Sequence, residues 1–181
     1  MSNKAMRSQA ALLICVGTMT ACERSSSTAP VNLHAEHVAA AMSATGTEHA
    51  GLVAAVRAAS ARFHSTVQAE KAGYLPDPFC VASPAGGMGH HWVNPSFVDG
   101  VFEPTKPEVV LYAPDKHGRM KLVAVEYIVA KTGPTAPTFN GHSFDDGGAP
   151  LPFPHWTLHV WLYESNASGL FAPFNPGVDC P

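Results

Sequence analysis

The hydrophobic positions divide the chain into a helical first part and a β-rich second part. Over residues 47–72, apolar side chains recur every three or four positions, with polar side chains between them. This spacing predicts one amphipathic helix with a single buried stripe. Gly73 stands where a C-cap glycine is favoured, so the helix is predicted to end there. The predicted stripe consists of Leu52, Val56, Ala59, Phe63 and Val67.

Beyond Pro76 the apolar runs become short and are separated by proline and glycine, a pattern typical of strands. Residues 115–118 lie between two such runs and predict a hairpin turn. Residues 131–154 predict a long loop over one end of the sheet. One or two helices followed by antiparallel strands favour the α+β class, with the N-terminal helix or helices packed on an antiparallel sheet or partly closed barrel. The four predicted strands cover residues 88–94, 109–113, 121–130 and 156–163.

The N-terminus has the pattern of an export signal. Lys4 and Arg7 precede an apolar run over residues 10–19 that is too short to span a bilayer as a stable helix. Residues 19–22, Met-Thr-Ala-Cys, resemble a bacterial lipobox, in which the final cysteine is lipidated and becomes the new N-terminus. Met19 replaces the usual leucine, so simple signal cleavage is the alternative.

These features predict three regions. An export signal covers residues 1–21, a polar tether and a short helix cover 22–46, and one globular α+β domain covers 47–181. We expect an exported cell-envelope protein, anchored to a membrane through lipid on Cys22 and facing the periplasm or the exterior.

Composition narrows the choice of partners. The chain is 46% hydrophobic and 14% charged, which indicates a packed globule. Its formal net charge is −3, and removal of the cationic leader takes it to about −5. No basic patch is visible, so nucleic acid is not an expected partner.

Two cysteines remain for the folded domain. Cys15 leaves with the leader and Cys22 carries lipid, so Cys80 and Cys180 face an oxidising compartment in which disulfides persist. We predict a disulfide between them. The alternative, a pair of metal ligands, lacks a close Cys-x-x-Cys spacing.

The run over residues 121–130 contains a carboxylate in apolar surroundings. Alternation places Glu126 on one face of the predicted strand, and both faces are otherwise apolar. An isolated buried carboxylate costs several kcal/mol, so Glu126 requires a cation, a network of donors or a proton. An arginine partner or a strand end open to water would be ordinary explanations. Strict alternation puts Leu122, Ala124, Glu126 and Ile128 on one face and Val123, Val125, Tyr127 and Val129 on the other.

Histidines on two other predicted strands offer companions for this carboxylate. His90 and His91 are adjacent and therefore face opposite sides, so one of them points inward. His155 and His159 share a face, together with Trp161 and Tyr163. Two imidazoles and one carboxylate form a recurring ligand set for transition metals such as zinc, copper or iron. No His-Glu-x-x-His spacing is present, so the set depends on convergence of three separate strands.

Five segments resemble a family of uncharacterised bacterial exported proteins. In that family pattern the histidine at His91 recurs whereas His90 varies, and the positions of Glu126 and His159 recur. The resemblance implies that these three residues form the site and that His155, His142 and His117 lie outside it. It implies no activity. The matching segments are Ala-Gly-Tyr at 72–74, Gly-Met-Gly-His-His at 87–91, Leu-Val-Ala-Val-Glu-Tyr at 122–127, Leu-His-Val-Trp at 158–161 and Asn-Pro-Gly-Val-Asp-Cys at 175–180.

Three functions are consistent with these observations. The first is an envelope domain that binds a transition metal or small ligand through His91, Glu126 and His159. The second is an enzyme, either metal-dependent or using Glu126 and His159 as an acid/base pair. The third is a non-catalytic docking module that uses the loop over 131–154. Motifs for a serine nucleophile, a phosphate loop and a dinucleotide site are absent from the sequence.

Overall fold

A computed structural model describes residues 50–148 and 151–181. The predicted export signal, the tether with its short helix and the lipidation at Cys22 lie outside the described residues. No helix in the described part of the chain combines the length and the apolar character that a membrane span requires.

The helical region is interrupted rather than continuous. A first helix, α1, covers residues 50–60 and runs into a 3₁₀ turn at Ala61–His64. A second helix, α2, covers Thr66–Lys71. The prediction of one unbroken helix over 47–72 is therefore wrong between α1 and α2.

The 3₁₀ turn changes which side chains reach the core. It has three residues per turn instead of 3.6, so the buried stripe of α1 does not continue in phase into α2. Val56 and Phe63 are buried as predicted. Val67 is 54% exposed, and Ala69 takes the inward position instead.

Gly73 ends α2 as predicted. Its φ of 97° is a left-handed conformation that glycine adopts without strain. The N–H of Gly73 donates to the carbonyl of Glu70 at 2.9 Å, and the N–H of Tyr74 donates to Ala69 at 3.1 Å. These two bonds form a Schellman motif.

The rest of the domain is mostly β. Six strands form one curled antiparallel sheet in the order β1-β2-β3-β4-β8-β7, and β5 pairs with β6 in a separate hairpin. The expected combination of N-terminal helix and antiparallel sheet is confirmed in outline. The strands are β1 (Cys80–Ser83), β2 (Gly86–Val93), β3 (Val109–Pro114), β4 (Met120–Ala130), β5 (Thr138–Phe139), β6 (His142–Ser143), β7 (Asp145–Asp146) and β8 (His155–Val160).

Some strands and connections agree with the sequence prediction, and others do not. The predicted β3–β4 hairpin is confirmed: the N–H of Gly118 donates to Asp115 at 2.8 Å, and Gly118 has a φ of 74°. The sequence pattern did not predict β1. Residues 131–154 were predicted as a loop, but they contain β5, β6 and β7, and β7 extends the main sheet by pairing with β8.

The sheet is covered on both sides. The helix-side core contains Val56 and Phe63 together with sheet residues such as Tyr112 and Tyr127. The opposite core contains Leu111, Ala124, Ile128 and Trp161 among others. β4 runs between them and is buried over eight consecutive residues. The prediction of a strand buried on both faces is confirmed.

A β-bulge shifts the alternation within β4. Leu111 pairs with Ala124 but its neighbour Tyr112 pairs with Leu122, so Val123 is the extra residue. Leu122 consequently joins the helix-side core, whereas Val123 joins the opposite core. The predicted face assignment is wrong at these two positions and correct from Ala124 to Val129.

The two remaining cysteines meet at the edge of the sheet. The sulfur atoms of Cys80 and Cys180 lie 2.02 Å apart, as the predicted disulfide requires. The bridge ties the C-terminal segment to β1 across 100 residues of sequence.

Candidate functional site

Strands β2, β4 and β8 bring His91, Glu126 and His159 together on one face of the sheet. Glu126 on β4 pairs directly with His159 on β8, and paired residues point to the same face. His91 on β2 pairs with Leu111, which belongs to the same opposite core as Ala124. The curl of the sheet brings the imidazole of His91 toward the carboxylate.

The three side-chain tips lie within ligand-sharing distance. Nε2 of His91 is 3.4 Å from Oε2 of Glu126, and Nε2 of His159 is 3.8 Å from Oε1. The two imidazole centroids are 6.0 Å apart and the rings are nearly perpendicular. One candidate ligand atom from each residue lies within 4.8 Å of the other two.

This cluster is buried and incompletely hydrogen bonded. Glu126 is 6% exposed and His159 is 3% exposed. The hydroxyl of Thr157 donates to Oε1 of Glu126 at 2.5 Å. Among the described residues, Oε2 of Glu126, Nε2 of His159 and Nδ1 of His91 have no hydrogen-bond partner. Unpartnered buried polar atoms cost about 1–3 kcal/mol each, so a cluster whose three residues each contain one favours a bound ligand.

The ordinary explanations for a buried glutamate do not fit these contacts. Glu126 lies in the middle of β4, so it is not at a strand end open to water. In the described chain, the groups within ion-pair distance of its carboxylate are His91 and His159, and neither arginine nor lysine is among them.

Burial acts in opposite directions on the pKa values of Glu126 and His159, which pair between β4 and β8. Burial alone would raise the pKa of Glu126, but the imidazoles of His159 and His91 and the Thr157 hydroxyl outweigh it, and the pKa lies below its ordinary value. Burial lowers the pKa of His159 despite the attraction of Glu126. At neutral pH the pair therefore combines a carboxylate with a neutral imidazole, the forms in which both residues bind metals.

A cavity of about 210 Å³ opens against the cluster, and all three side chains line it. Its wall also contains Thr157 and His155. The cluster is thus a site that a small molecule can reach, rather than a closed structural centre.

The other histidines hold different positions. Nδ1 of His90 lies 3.0 Å from the carbonyl of Asp77, and His90 pairs with Tyr112, which belongs to the helix-side core. His142 stacks on Phe171, and His117 lies in the exposed β3–β4 turn. These placements agree with the assignment of His91 rather than His90 to the site.

Two details of β8 differ from the prediction. His155 does not join the three converging residues, but it lines their cavity instead of lying apart from it. Its Nδ1 is 2.9 Å from the carbonyl of Phe153. Tyr163 does not share a face with His159, because β8 ends at Val160 and the Tyr163 hydroxyl lies 2.9 Å from Ser60 on the helix side.

A second buried carboxylate, Glu108, was not predicted. It is 1% exposed, and the N–H of Ile128 donates to its Oε2 at 3.1 Å. Burial is the main cause that raises its pKa to about 8, against the opposing hydrogen bonds from the backbone. The sequence signal for it was a glutamate directly before the apolar run of β3, a position that also fits an exposed loop residue.

Comparison of the chain with protein-family models, with curated proteins and with solved structures found no match. A function is therefore inferred from the geometry of the cluster and the chemistry of its side chains. The resemblance to bacterial exported proteins stays a prediction.

Proposed function

We propose that this protein is a metal-binding domain of the bacterial cell envelope, in which His91, Glu126 and His159 hold one transition-metal ion such as zinc, copper or iron. The observation that carries the proposal is the convergence of three ligand-type side chains within 4.8 Å, with Oε2 of Glu126 and Nε2 of His159 unpartnered in the described chain.

The spacing of the ligand atoms supports an ion between them. Metal–ligand bonds of about 2.0–2.2 Å in a tetrahedral site put neighbouring ligand atoms about 3.3–3.6 Å apart. The observed contacts of 3.4 Å and 3.8 Å to Glu126 are close to that range. All three candidate ligand atoms lie within 4.8 Å of one another, so the side chains must approach further to hold one ion.

The donor types support a transition metal over calcium or magnesium. Those two ions take oxygen ligands, whereas this cluster supplies two imidazoles and a single carboxylate. A cation would also compensate the negative charge of Glu126, which has no lysine or arginine partner in the described chain.

A metal-dependent enzyme is the second candidate. The specific observation that favours it is the cavity of about 210 Å³ at the cluster, since a site with three protein ligands leaves a coordination position for water or substrate. The docking-module alternative predicted an arginine or backbone partner for Glu126, and the contacts of Glu126 do not support it.

The envelope location is proposed from the sequence. The leader over residues 1–21 and the lipobox-like cysteine Cys22 motivate it. The Cys80–Cys180 pairing is compatible with an oxidising compartment.

The proposal is tested by elemental analysis. Purified full-length protein is stripped with a chelator, dialysed against zinc, copper or iron salts and freed of loose metal. We expect one ion per chain, and His159→Ala should lose more than half of it. His142→Ala, which alters an exposed histidine, is the matched control and should retain it. Retention of most of the metal by His159→Ala and His91→Ala would contradict the assignment.

A further inference from the structure

The cavity beside the proposed metal centre has a mostly apolar wall. Besides the three proposed ligands, the side chains around it are mainly aliphatic or thioether groups. They come from β1, β2, β3, β4 and the segment before β8. These apolar residues are Val81, Met88, Val93, Val109, Ile128 and Leu151.

The polar groups in the wall are largely engaged. The Thr157 hydroxyl donates to Glu126, and Nδ1 of His155 faces the carbonyl of Phe153. Asp77, which is partly exposed, accepts a hydrogen bond from the N–H of Phe79 at 2.8 Å. A ligand would therefore meet mostly apolar surface beyond the centre, and an apolar body fits that surface.

The net charge of the proposed centre determines the charge that a bound molecule should carry. A divalent ion held by one carboxylate and two neutral imidazoles leaves a net charge of +1. No lysine or arginine lines the cavity in the described chain. Asp77 is a further carboxylate in the cavity wall, but it is partly exposed and is not among the three residues that converge on the centre. Because the charge of the centre itself is uncompensated beside apolar surface, one negative charge on the bound molecule completes it.

Resting on the proposed function, we propose that the cavity binds a small organic monoanion, a carboxylate with an aliphatic or single-ring apolar body, whose charged group completes the metal coordination. A volume of about 210 Å³ exceeds the roughly 150 Å³ of an engineered apolar cavity that binds benzene, so it suits one substituted ring.

Calorimetric titration of zinc-loaded full-length protein tests this inference, with zinc chosen because it is redox-inert. Benzoate supplies ring and charge, acetate supplies the charge alone, and benzyl alcohol supplies the ring alone. We expect benzoate to bind at least 10-fold more tightly than either partial probe, and chelator-stripped protein to lose benzoate binding.

A pair of methionine variants locates the binding. Met88→Glu places a negative charge in the cavity wall and should weaken benzoate binding at least 10-fold while zinc stays at one per chain. Met120→Glu makes the same change at the start of β4, outside the cavity lining, and should bind benzoate as the wild type does.

The outcomes separate the two proposals. If one zinc binds per chain but benzoate binds no better than acetate, the inference is wrong and the metal site stands. If benzoate binds equally with and without zinc, or Met88→Glu has no effect, the inference is also wrong. If no metal binds, the proposed function fails and takes the inference with it.

Discussion

Glu126 on β4 and Glu108, directly before β3, are two buried carboxylates whose environments shift their pKa values in opposite directions. Glu126 is 6% exposed and Glu108 is 1% exposed. Yet the pKa of Glu126 lies below its ordinary value, whereas the pKa of Glu108 is raised to about 8. Burial is the largest single influence on both groups, so the difference comes from their companions.

The companions of Glu126 are imidazoles and a hydroxyl, whereas those of Glu108 give little compensation. Backbone hydrogen bonds from Glu108 itself and from Ile128 lower the pKa of Glu108 but do not offset its burial, and Asp99 and Glu126 repel its charge. The nearby tyrosine hydroxyls are committed elsewhere: Tyr74 donates to Pro107 and Tyr127 donates to Pro104.

The comparison shows that two carboxylates of similar burial differ in charge state according to their neighbours. At neutral pH Glu108 is mostly a neutral acid with a structural contact to β4. Glu126 is an anion that faces the imidazoles of His91 and His159 and lines the cavity.

The largest expected contrast is in metal affinity. Glu126→Gln removes the only anionic ligand of the proposed centre and should weaken zinc binding at least 100-fold, or about 2.7 kcal/mol. Glu108→Gln should stay within about threefold of the wild type. Competition with a chromophoric chelator measures both variants. Similar losses in the two variants would show that the carboxylates do not differ in role.

The second contrast is in the pH dependence of folding. Because the folded-state pKa of Glu108 lies above its unfolded value, the folded protein holds a proton that the unfolded chain releases. This stabilisation is complete below the unfolded pKa and is lost as pH rises through about 8.

Between pH 6.5 and 8.5 the Glu108 contribution should fall by about 2 kcal/mol. Urea unfolding of metal-free wild type and Glu108→Gln at both pH values isolates it, since all other groups are shared. A constant difference in free energy between the two proteins would refute a raised pKa for Glu108.

A smaller effect is expected from the hydroxyl that supports Glu126. Thr157→Val keeps the side-chain shape but removes the donor to Oε1, and support of this kind is worth roughly 10-fold in metal affinity. Thr138→Val makes the same change at an exposed position on β5 and should leave the affinity unchanged. Unaltered zinc binding in Thr157→Val would mean that the hydroxyl does not orient the carboxylate.

The smallest expected effect is on the pKa of Glu108, which the negative charge of Asp99 raises. Asp99→Asn retains the oxygen that accepts the N–H of Val101 but removes a negative charge, so the pKa of Glu108 should fall. The midpoint of the pH-dependent stability curve reports this shift. Asp179→Asn, an exposed substitution, is the control, and an equal shift there would attribute the effect to net charge alone.

The candidate site was more predictable than the helical region. Alternation in β4 exposed the anomaly of Glu126, because a charge in a run that is apolar on both faces has few explanations. The prediction of one helix over 47–72 is wrong at the 3₁₀ turn, because the residues of that turn are also compatible with an α-helix. Apolar spacing alone does not distinguish the two. Glu108 was missed because its burial depends on segments that are distant in sequence.

The amino-acid sequence by itself determined the elements and their faces: the strands β2, β3, β4 and β8, the β3–β4 hairpin, the cap at Gly73 and the inward position of Glu126. These follow from periodicity and turn chemistry, which act between residues close together in the chain. Only the tertiary structure decided that His91 approaches Glu126, that a bulge at Val123 shifts the alternation and that Glu108 is buried. Those facts depend on strand order, register and sheet curvature, which arise from packing between segments that no local pattern connects.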